Sequence, residues 1–253
     1  MTGNSVFSFE VGHATNTGCV RDHNEDSYLA RPDFGLWVVA DGMGGHAAGD
    51  FASQTITGLA ETVGVASSAQ DLQARFMERL TRANSMIRDH AEALGGATVG
   101  ATLVALLAFE EAYACIWSGD SRIYLLRNGV LTQQTTDHTE VQALLEAGTI
   151  TPDEATDWPR KNVITRAIGV TDEPNCDIVS GVLQAGDVFL LCSDGLTEHL
   201  TDTDIRRILT AGPAQGICDA LIQETLARGA KDNTTAIVIR CQPKHPEAVT
   251  NGQ

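Results

Sequence analysis

The sequence is poor in basic residues and in long apolar runs, and each scarcity excludes a class of protein. Only 17 Lys and Arg stand against 33 Asp and Glu, which gives a formal net charge of −16. A field of that sign repels polyanions, so we expect neither a nucleic acid nor an anionic membrane surface as a partner. No apolar run reaches the roughly 18 residues of a membrane span, and the first residues lack the basic start and apolar core of a signal peptide. We therefore expect a cytoplasmic protein with no membrane partner.

Paired cysteines and nucleotide-binding loops are also missing from the sequence. The six cysteines lie far apart without a CxxC pair, and several fall within apolar segments, which predicts reduced thiols in the core. No GxxxxGK[ST] sequence occurs, so nothing supports a phosphate-binding loop for nucleotides. The stretch from Asp22 begins like a calcium loop, but Ser27 stands where that loop requires glycine. Cys115 and Arg122 are spaced too widely for a phosphatase with a cysteine nucleophile.

Short apolar runs rich in β-branched or aromatic residues are present, and they predict strands. The chain of 253 residues with 43% hydrophobic content is sufficient for one domain with a substantial core. The predicted strands are residues 35–40, 101–109, 112–118, 122–127, 187–192 and 235–240, with a hairpin turn at Asn128-Gly129 leading into 130–133. Strands this close in sequence must pair antiparallel, because a parallel crossover needs about a dozen residues or more.

Helical periodicity lies between these strands. Apolar residues recur at spacings of three and four from Leu72 to Leu94, which predicts a long helix with Ser68 at its start. Further helices are predicted at 47–63, 139–147, 202–209 and 213–228. Strands grouped with strands and helices with helices favour a layered α+β domain. Residues 148–162 are polar and poorly periodic, as is typical of a functional or disordered loop, and residues 243–253 predict a flexible tail.

Acidic residues stand at the ends of several apolar strands. They are Asp41, Asp120, Asp194 and Asp232, and Glu25 with Asp26 opens a further strand. A single Asp in such a position is ordinarily a turn residue or a helix cap. If several of these strand ends converge, the carboxylates repel one another, and a multivalent cation is the ordinary relief. Because ligands that are all oxygen select hard metals, the sequence predicts Mg²⁺ or Mn²⁺.

Glycines and one arginine accompany these acids. Three of the four residues after Asp41 are glycines, which would allow the Gly42 carbonyl to reach the same metal and a substrate to approach the backbone. Arg21 brings a cation beside the acids, and an arginine next to a metal cluster can hold two phosphate oxygens. Metals with an arginine point to phosphoryl hydrolysis, in which a metal-bridging water becomes hydroxide near neutral pH and attacks phosphorus in line.

Seven sequence blocks, taken in order, resemble one known family. The blocks are RDHNED, VVADGMGGH, GATL, SGDSR, NVITRAIG, LLCSDGL and DNTTAIVI. Together they resemble the type 2C family of metal-dependent serine/threonine protein phosphatases in its compact bacterial form. The resemblance implies an α+β fold with a four-layer αββα sandwich, in which two central antiparallel sheets are flanked by helices and a binuclear metal site lies at one end. It also implies a single catalytic domain over residues 1–242, with a flap at about residues 140–165.

The resemblance also implies the metal ligands. The metal-binding residues would be Asp41, Gly42 through its carbonyl, Asp194, Asp232, Asp120, Asp26 and Glu25. Two Mn²⁺ or Mg²⁺ ions would bind, with Glu25 and Asp26 holding metal-bound waters. Asp120 would support a third, weaker ion together with Asp194.

Catalytic and substrate-binding roles follow from the same resemblance. Asp41 and Arg21 would be catalytic, with Arg21 also binding the phosphate and Asn233 supporting substrate binding beside it. His46 would protonate the leaving serine or threonine oxygen, as suits an imidazole. The alternative interpretation of His46 is a surface residue at a helix start, because a metal can also stabilise the leaving oxygen. The chain departs from the family's motifs at three places. The family's GTT appears here as GAT at residues 100–102, its DHS as DHT at 137–139, and its frequent His-Pro in the flap as Trp158-Pro159. These departures bear on substrate preference.

The expected function is hydrolysis of phosphoserine and phosphothreonine in proteins, as part of signal transduction. We expect a monomer whose phosphoprotein substrates are made by a cognate serine/threonine kinase. Two alternatives stay open at this stage. One is a non-catalytic regulator that binds phosphoproteins on the same fold. The other is a small-molecule phosphatase or a nuclease, although the acidic charge disfavours a nuclease.

Overall fold

The computed structural model describes residues 6–45 and 47–244, and in this part of the chain strands and helices are grouped as the sequence predicts. The strands are β1 (Phe7–Asn16), β2 (Asp26–Arg31), β3 (Leu36–Met43), β4 (Gly100–Ala101), β5 (Leu103–Phe109), β6 (Ala112–Ser118), β7 (Arg122–Arg127), β8 (Val130–Gln133), β9 (Asp177–Val182), β10 (Val188–Cys192) and β11 (Thr234–Pro243). The helices are α1 (Ala47–Glu61), α2 (Ala69–Ala93), α3 (Glu140–Glu146), α4 (Pro152–Thr156), α5 (Asp194–Thr197), α6 (Asp202–Leu209) and α7 (Ala214–Ala227). The predicted tail began at residue 243, but Pro243 is the last residue of β11. Residues 245–253 of that tail and residue 46 lie outside the described residues.

Two antiparallel sheets form the centre of the molecule. The first sheet has the strand order β1-β11-β10-β7-β8, and the second has β2-β3-β5-β6-β9 with β4 paired to β3. Every pairing between these strands is antiparallel, as the short connections predicted. Side chains such as Trp37, Phe189 and Ile237 fill the space between the sheets.

Helices cover the outer face of each sheet. Helices α1 and α2 pack on the second sheet, through a core that includes Leu36, Ile56 and Phe76. Helices α5, α6 and α7 cover the first sheet through a core that includes Leu190 and Leu221. The layers therefore run helix, sheet, sheet, helix, and the predicted four-layer α+β sandwich is confirmed.

The long helix and the hairpin follow directly from local sequence. In α2 the apolar stripe at Leu72, Phe76 and the residues that follow at three- and four-residue spacing is buried, and Ser68 accepts a hydrogen bond of 3.1 Å from the Asp71 N–H. The stripe ends earlier than predicted, since Leu94 lies beyond the helix and is 51% exposed. The tight turn between β7 and β8 is confirmed by positive φ angles of 52° and 77° at its two central residues.

Strand β3 differs from its prediction in a way that shapes the site. It continues through Asp41 to Met43, because Gly42 and Met43 pair with β4. The predicted strand 101–109 is interrupted at Thr102, whose N–H donates a 2.8 Å hydrogen bond to the Asp41 carbonyl. The end of β3 is therefore clamped from one side, and the side chain at position 41 is held at the edge of the sandwich.

Most of the cysteines lie in the core, as the sequence predicts. The thiols of Cys115, Cys192, Cys218 and Cys241 are buried as expected, and burial raises the pKa of each to about 12. Cys19 is exposed, so the prediction of a core thiol is wrong for that residue. Over residues 6–45 and 47–244, every helix is too short or too polar to span a bilayer.

Candidate metal centre

A pocket of about 410 Å³ opens at the end of the sandwich where the acidic strand ends meet. Eight of the predicted site residues line it: Arg21, Glu25, Asp41, Gly42, Asp120, Asp194, Asp232 and Asn233. Asp26 lies directly behind this lining, paired across the sheet with Asp41. His46 lies outside the described residues, so its role stays a prediction. Residues far apart in the chain are thus brought to one place.

Asp41 is the central carboxylate of this group. Its backbone is fixed by Thr102, which accepts a 3.3 Å hydrogen bond from the Asp41 N–H as well as donating to its carbonyl. Burial is the main cause that raises the pKa of Asp41 well above its ordinary value, and the charges of Asp26 and Asp194 raise it further. The protein therefore holds a carboxylate where a negative charge is unfavourable.

The first sheet delivers Asp194 and Asp232 from two adjacent elements. Asp194 is the first residue of α5, just after β10, and Asp232 precedes β11. A Cβ atom at Gly195 would lie 2.0 Å from the Asn233 carbonyl oxygen, so the glycine lets the start of α5 sit against the start of β11. Burial and then the charge of Asp120 raise the pKa of Asp194 well above its ordinary value. This close packing is what brings the two carboxylates together.

Asp26 is held behind the pocket by hydroxyl groups that the sequence analysis did not identify. The Asp26 Oδ2 atom accepts hydrogen bonds of 2.8 Å from Ser193 and 2.6 Å from Thr235. Its other oxygen, Oδ1, is buried without a hydrogen-bond partner among the described residues. Burial raises the pKa of Asp26 to about 6, and the hydroxyl bonds oppose that shift. The sequence signal for these hydroxyls is weak: Ser193 directly precedes Asp194, and Thr235 lies two residues after Asn233.

Asp120 reaches the pocket from the turn between β6 and β7. The preceding residue, Gly119, has a φ of +107°, and a Cβ there would lie 2.7 Å from the Thr102 side chain. Only glycine fits this turn without strain. Burial raises the pKa of Asp120 to about 6, with a further contribution from the charge of Asp137.

The glycines after Asp41 are needed for two reasons, the lack of space for a side chain and the backbone conformation. A Cβ at Gly42 would lie 2.2 Å from the Gly49 carbonyl oxygen and 2.8 Å from that of Glu25, so no side chain fits there. Gly44 and Gly45 have φ angles of +129° and +82°, which other residues adopt only with strain. The segment therefore passes close to its neighbours and leaves its backbone open to the pocket.

Arg21 and Asn233 join the loop before β2 to the start of β11. The Arg21 guanidinium donates a 2.7 Å hydrogen bond to Asp232, which raises the pKa of the arginine, and 58% of its side chain is exposed. The Asn233 amide accepts a hydrogen bond from the Glu25 N–H at 2.8 Å and donates to the carbonyls of Thr17 and His23. Both amide hydrogens of Asn233 are used in holding this loop, so it positions Arg21 and Glu25.

The chemistry of the donor set fits a hard divalent cation. The donors are oxygens, four of the carboxylates have a raised pKa, and one buried oxygen of Asp26 has no hydrogen-bond partner within the described part of the chain. Among the residues that the structure describes, no three His, Cys, Asp or Glu side chains stand in a ready-made coordination shell. The side chains of Asp26 and Asp232 accept hydrogen bonds from protein donors, which for Asp232 include the Arg21 guanidinium.

Other residues of the pocket wall were not predicted as site residues. Thr102, His23, Asn162 and Ile164 contribute to the lining. Asn162, at the end of the predicted flap, donates a 2.7 Å hydrogen bond to Glu198 just beyond α5. The polar flap sequence gave no periodic signal for this contact, because it depends on how the loop returns to the sandwich.

Comparison with known proteins identifies relatives along almost the whole chain. The family model described as protein phosphatase 2C matches residues 8–147. The serine/threonine phosphatase stp of Listeria monocytogenes is 35% identical over 237 residues, which cover 89% of this chain and 93% of the relative. The structure of PppA, a regulatory component of the T6SS in Pseudomonas aeruginosa, is 40% identical with a TM-score of 0.86 and covers 94% of this chain and 100% of that one. The catalytic domain of the phosphatase PstP, solved in complex with 2 manganese ions, is 35% identical with a TM-score of 0.85 and covers 93% of this chain and 99% of its own.

Proposed function

This chain belongs to the protein phosphatase 2C family and is an enzyme, a metal-dependent serine/threonine protein phosphatase, and we propose that the acidic pocket is its active site. The substrates are phosphoserine and phosphothreonine in proteins. The observation that carries the proposal is the convergence of carboxylates from both sheets beside Arg21, an arrangement that is unfavourable for the protein unless cations neutralise it.

The metal ligands are assigned from the residues that line the pocket. Asp41, Asp194 and Asp232, with the Gly42 carbonyl, would hold two Mn²⁺ or Mg²⁺ ions, and Asp120 would support a third. When bound, these ions lower the pKa of the attacking water and stabilise the negative charge that develops on the phosphoryl group. Glu25 and Asp26 would accept hydrogen bonds from waters of the centre, which suits the buried Oδ1 atom of Asp26.

Arg21 binds and orients the phosphate in this proposal. Its guanidinium is exposed at the pocket mouth and tethered by Asp232, so it is held within reach of the acids without being buried. A planar guanidinium can donate two parallel hydrogen bonds to phosphate oxygens. His46 is proposed to protonate the leaving oxygen, on the family resemblance alone.

The flap is proposed to set substrate preference. Residues 148–162 contain the short helix α4, whose capping box joins Thr151 and Glu154. The flap then returns to the pocket, where Asn162 contacts Glu198. Trp158, which replaces the histidine frequent in relatives, lies in this segment and contacts Glu140 through its indole N–H at 3.5 Å. Asn162 lines the pocket, so a phosphopeptide that binds there would meet this end of the flap.

The activity is tested with a phosphothreonine peptide, Mn²⁺ and a chelator. We expect turnover that requires Mn²⁺ and that Asp194→Asn abolishes, while Asp71→Asn, a change at a remote helix start, has no effect. Turnover that is unchanged in excess chelator contradicts the proposal. Nucleotides, sugar phosphates and phosphopeptides compared side by side distinguish a protein phosphatase from a phosphatase of small molecules. An Asp194→Asn variant that keeps its full cellular function would instead favour a non-catalytic regulator.

The cellular setting is proposed from charge and family. We propose a single catalytic domain over residues 1–242 that acts as a cytoplasmic monomer in signal transduction, against a cognate serine/threonine kinase. The acidic net charge and the absence of any helix able to cross a membrane within the described residues support this setting. A serine/threonine kinase gene next to the gene for this chain, and an elution volume of one protomer in size-exclusion chromatography, are the expected observations.

A further inference from the structure

His138, in the DHT motif, has no role in the function described so far. It is 8% exposed, and its imidazole stacks on Trp117 with ring centroids 5.9 Å apart. A buried imidazole has two ring nitrogens that need partners, and the identity of those partners indicates what the residue does.

One side of His138 holds the turn that carries Asp120. The Gly119 N–H donates a 3.2 Å hydrogen bond to His138 Nδ1, and the His138 N–H donates a 2.9 Å hydrogen bond back to the Gly119 carbonyl. The two bonds close a reciprocal pair on the residue that immediately precedes Asp120. Gly119 has a positive φ and lies outside the strands, so its N–H and carbonyl are not paired in a sheet.

The other side of His138 is fixed by an ion pair. Because Nδ1 accepts the Gly119 hydrogen bond, the proton of the neutral ring lies on Nε2, which faces Asp177 Oδ2 at 3.1 Å and has Arg166 Nη1 at 3.3 Å. Arg166 holds the same carboxylate through a 2.8 Å bond to Oδ1. A carboxylate that orients an imidazole sets its tautomer, and here it leaves Nδ1 as an acceptor for the Gly119 N–H.

The neighbour of His138 holds the opposite flank of Asp120. Arg122 donates to both oxygens of Asp137, at 2.9 Å from Nε and 2.6 Å from the terminal nitrogen, and donates from its other arm to Tyr124 at 3.0 Å. Two adjacent residues of one motif thus hold Gly119, directly before Asp120, and Arg122, two residues after it. The carboxylate of Asp120 itself lines the pocket.

We infer that His138 is a positioning residue whose Nδ1, oriented by Asp177, holds the Gly119 turn so that Asp120 faces the metal centre. The inference rests on the proposed function, because it takes Asp120 as a ligand of the third, weakest divalent ion. Groups that orient a ligand typically change metal affinity by about 10-fold to 100-fold when they are replaced. Removing the Nδ1 acceptor therefore weakens binding at Asp120 and leaves the ions at Asp41 unaffected.

The test uses two amide substitutions of His138, each of which places a polar atom near a different nitrogen of the imidazole. In His138→Asn the amide oxygen can stand where Nδ1 stands and accept from Gly119. In His138→Gln the longer side chain places its amide near the Nε2 position and loses the Gly119 contact. Free Mn²⁺ is counted by electron paramagnetic resonance during titration of each full-length variant, and thermal unfolding without metal reports folding. His90→Asn, on an imidazole stacked with Phe51 at 4.0 Å, is the matched control.

The expected result has three parts. Asp120→Asn removes the weakest Mn²⁺-binding event, His138→Gln weakens that event by about tenfold or more, and His138→Asn keeps it close to the wild-type value. Equal Mn²⁺ affinity in wild type, His138→Gln and His138→Asn overturns the inference and leaves the phosphatase proposal intact. If Asp120→Asn changes no binding event, Asp120 is not a ligand and the inference is also overturned. The phosphatase proposal is tested separately, by loss of the tight events in Asp41→Asn.

Discussion

Carboxylates at the strand ends and carboxylates at the helix starts have opposite electrostatic surroundings. At the site, burial raises the pKa of Asp26 and of Asp120 to about 6, and Asp41 and Asp194 are raised well above their ordinary value. At the helix starts, hydrogen bonds to Arg75 and the Ser67 backbone lower the pKa of Asp71 to about 2.

Two further helix-start acids behave like Asp71. The pKa of Asp204 is lowered by its hydrogen bonds to Arg228 and Thr201, and that of Glu154 by its hydrogen bonds to Thr151. These acids are solvated and receive donors, whereas the site acids are desolvated and face one another. The same residue type therefore stabilises the fold at one location and destabilises it at the other. A site that destabilises the protein on its own is typical of one built for a ligand.

The largest contrast is expected in activity. Asp41→Asn should lower phosphopeptide turnover by about 10³-fold or more, since several kcal/mol of charge stabilisation are lost at about 1.4 kcal/mol per tenfold. Asp71→Asn, the same change at a helix start, should alter turnover by less than about twofold. Steady-state rates at saturating Mn²⁺ measure both. Comparable activity in the two variants would remove the distinction between the two groups of acids.

The pH dependence of metal-free stability gives the next largest effect. A carboxylate with a folded pKa above its unfolded value stabilises the fold at low pH, and this stabilisation is lost as the pH rises through the folded value. Lowering the pH from about 7 to about 5 should therefore raise the free energy of unfolding by about 1 kcal/mol for each of Asp26 and Asp120, whose pKa is about 6. Urea unfolding at each pH in the presence of a chelator measures this change in the free energy of unfolding.

The helix-start acids and Mn²⁺ provide the control for this pH series. The stabilisation from Asp71 is lost as the pH falls toward its pKa of about 2, so stability should decline again in strong acid. With saturating Mn²⁺, the free energy of unfolding should fall and not rise as the pH is lowered from neutral to mildly acidic, because protons then compete with the metal. A metal-free protein that loses stability throughout this range would show that the site acids are not destabilising.

A smaller effect is expected from Asp194→Asn in the metal-free protein. The substitution removes a charge that faces Asp120 and should raise the free energy of unfolding by about 1 kcal/mol near pH 7. In the same variant, stabilisation by Mn²⁺ should largely disappear. Asp204→Asn should have the opposite sign, because it removes the negative charge that pairs with Arg228 at 2.8 Å. Equal signs for the two variants in chelator would contradict this prediction.

The smallest effect concerns a cap far from the acids. Thr201 accepts a 3.2 Å hydrogen bond from the Asp204 N–H at the start of α6, so Thr201→Ala should lower the free energy of unfolding by about 0.5 kcal/mol. Mn²⁺-dependent turnover should be unchanged. Thermal unfolding with and without Mn²⁺ measures this variant, and a loss of metal affinity would show that the caps and the site are coupled.

The elements that the sequence predicts well are those determined by residues close together in the chain. The strands 112–118, 122–127 and 130–133 are predicted with correct bounds, because each is a short run rich in apolar residues that ends at residues with strong turn preferences. Strands β1 and β9 were missed because their exposed faces mix polar and apolar residues, and α4 because its sequence has no apolar face.

The same limit applies to the site. Asp41, Asp194 and Asp232 are recognisable because an acid directly after or before a buried strand is unusual in sequence. Ser193 and Thr235 were missed as partners of Asp26, because their contact exists only once the two sheets are packed together. The link between His138 and Gly119 is likewise a tertiary contact between two motifs whose residues have no shared periodicity.

The central claim is that divalent cations make the convergent carboxylates tolerable, and anomalous diffraction at the manganese edge from crystals grown with Mn²⁺ tests it most directly. The account predicts two adjacent peaks in the pocket, with Asp41 between them and Asp194 and Asp232 as further ligands. Manganese bound elsewhere, with these three carboxylates unligated at saturating Mn²⁺, would contradict it.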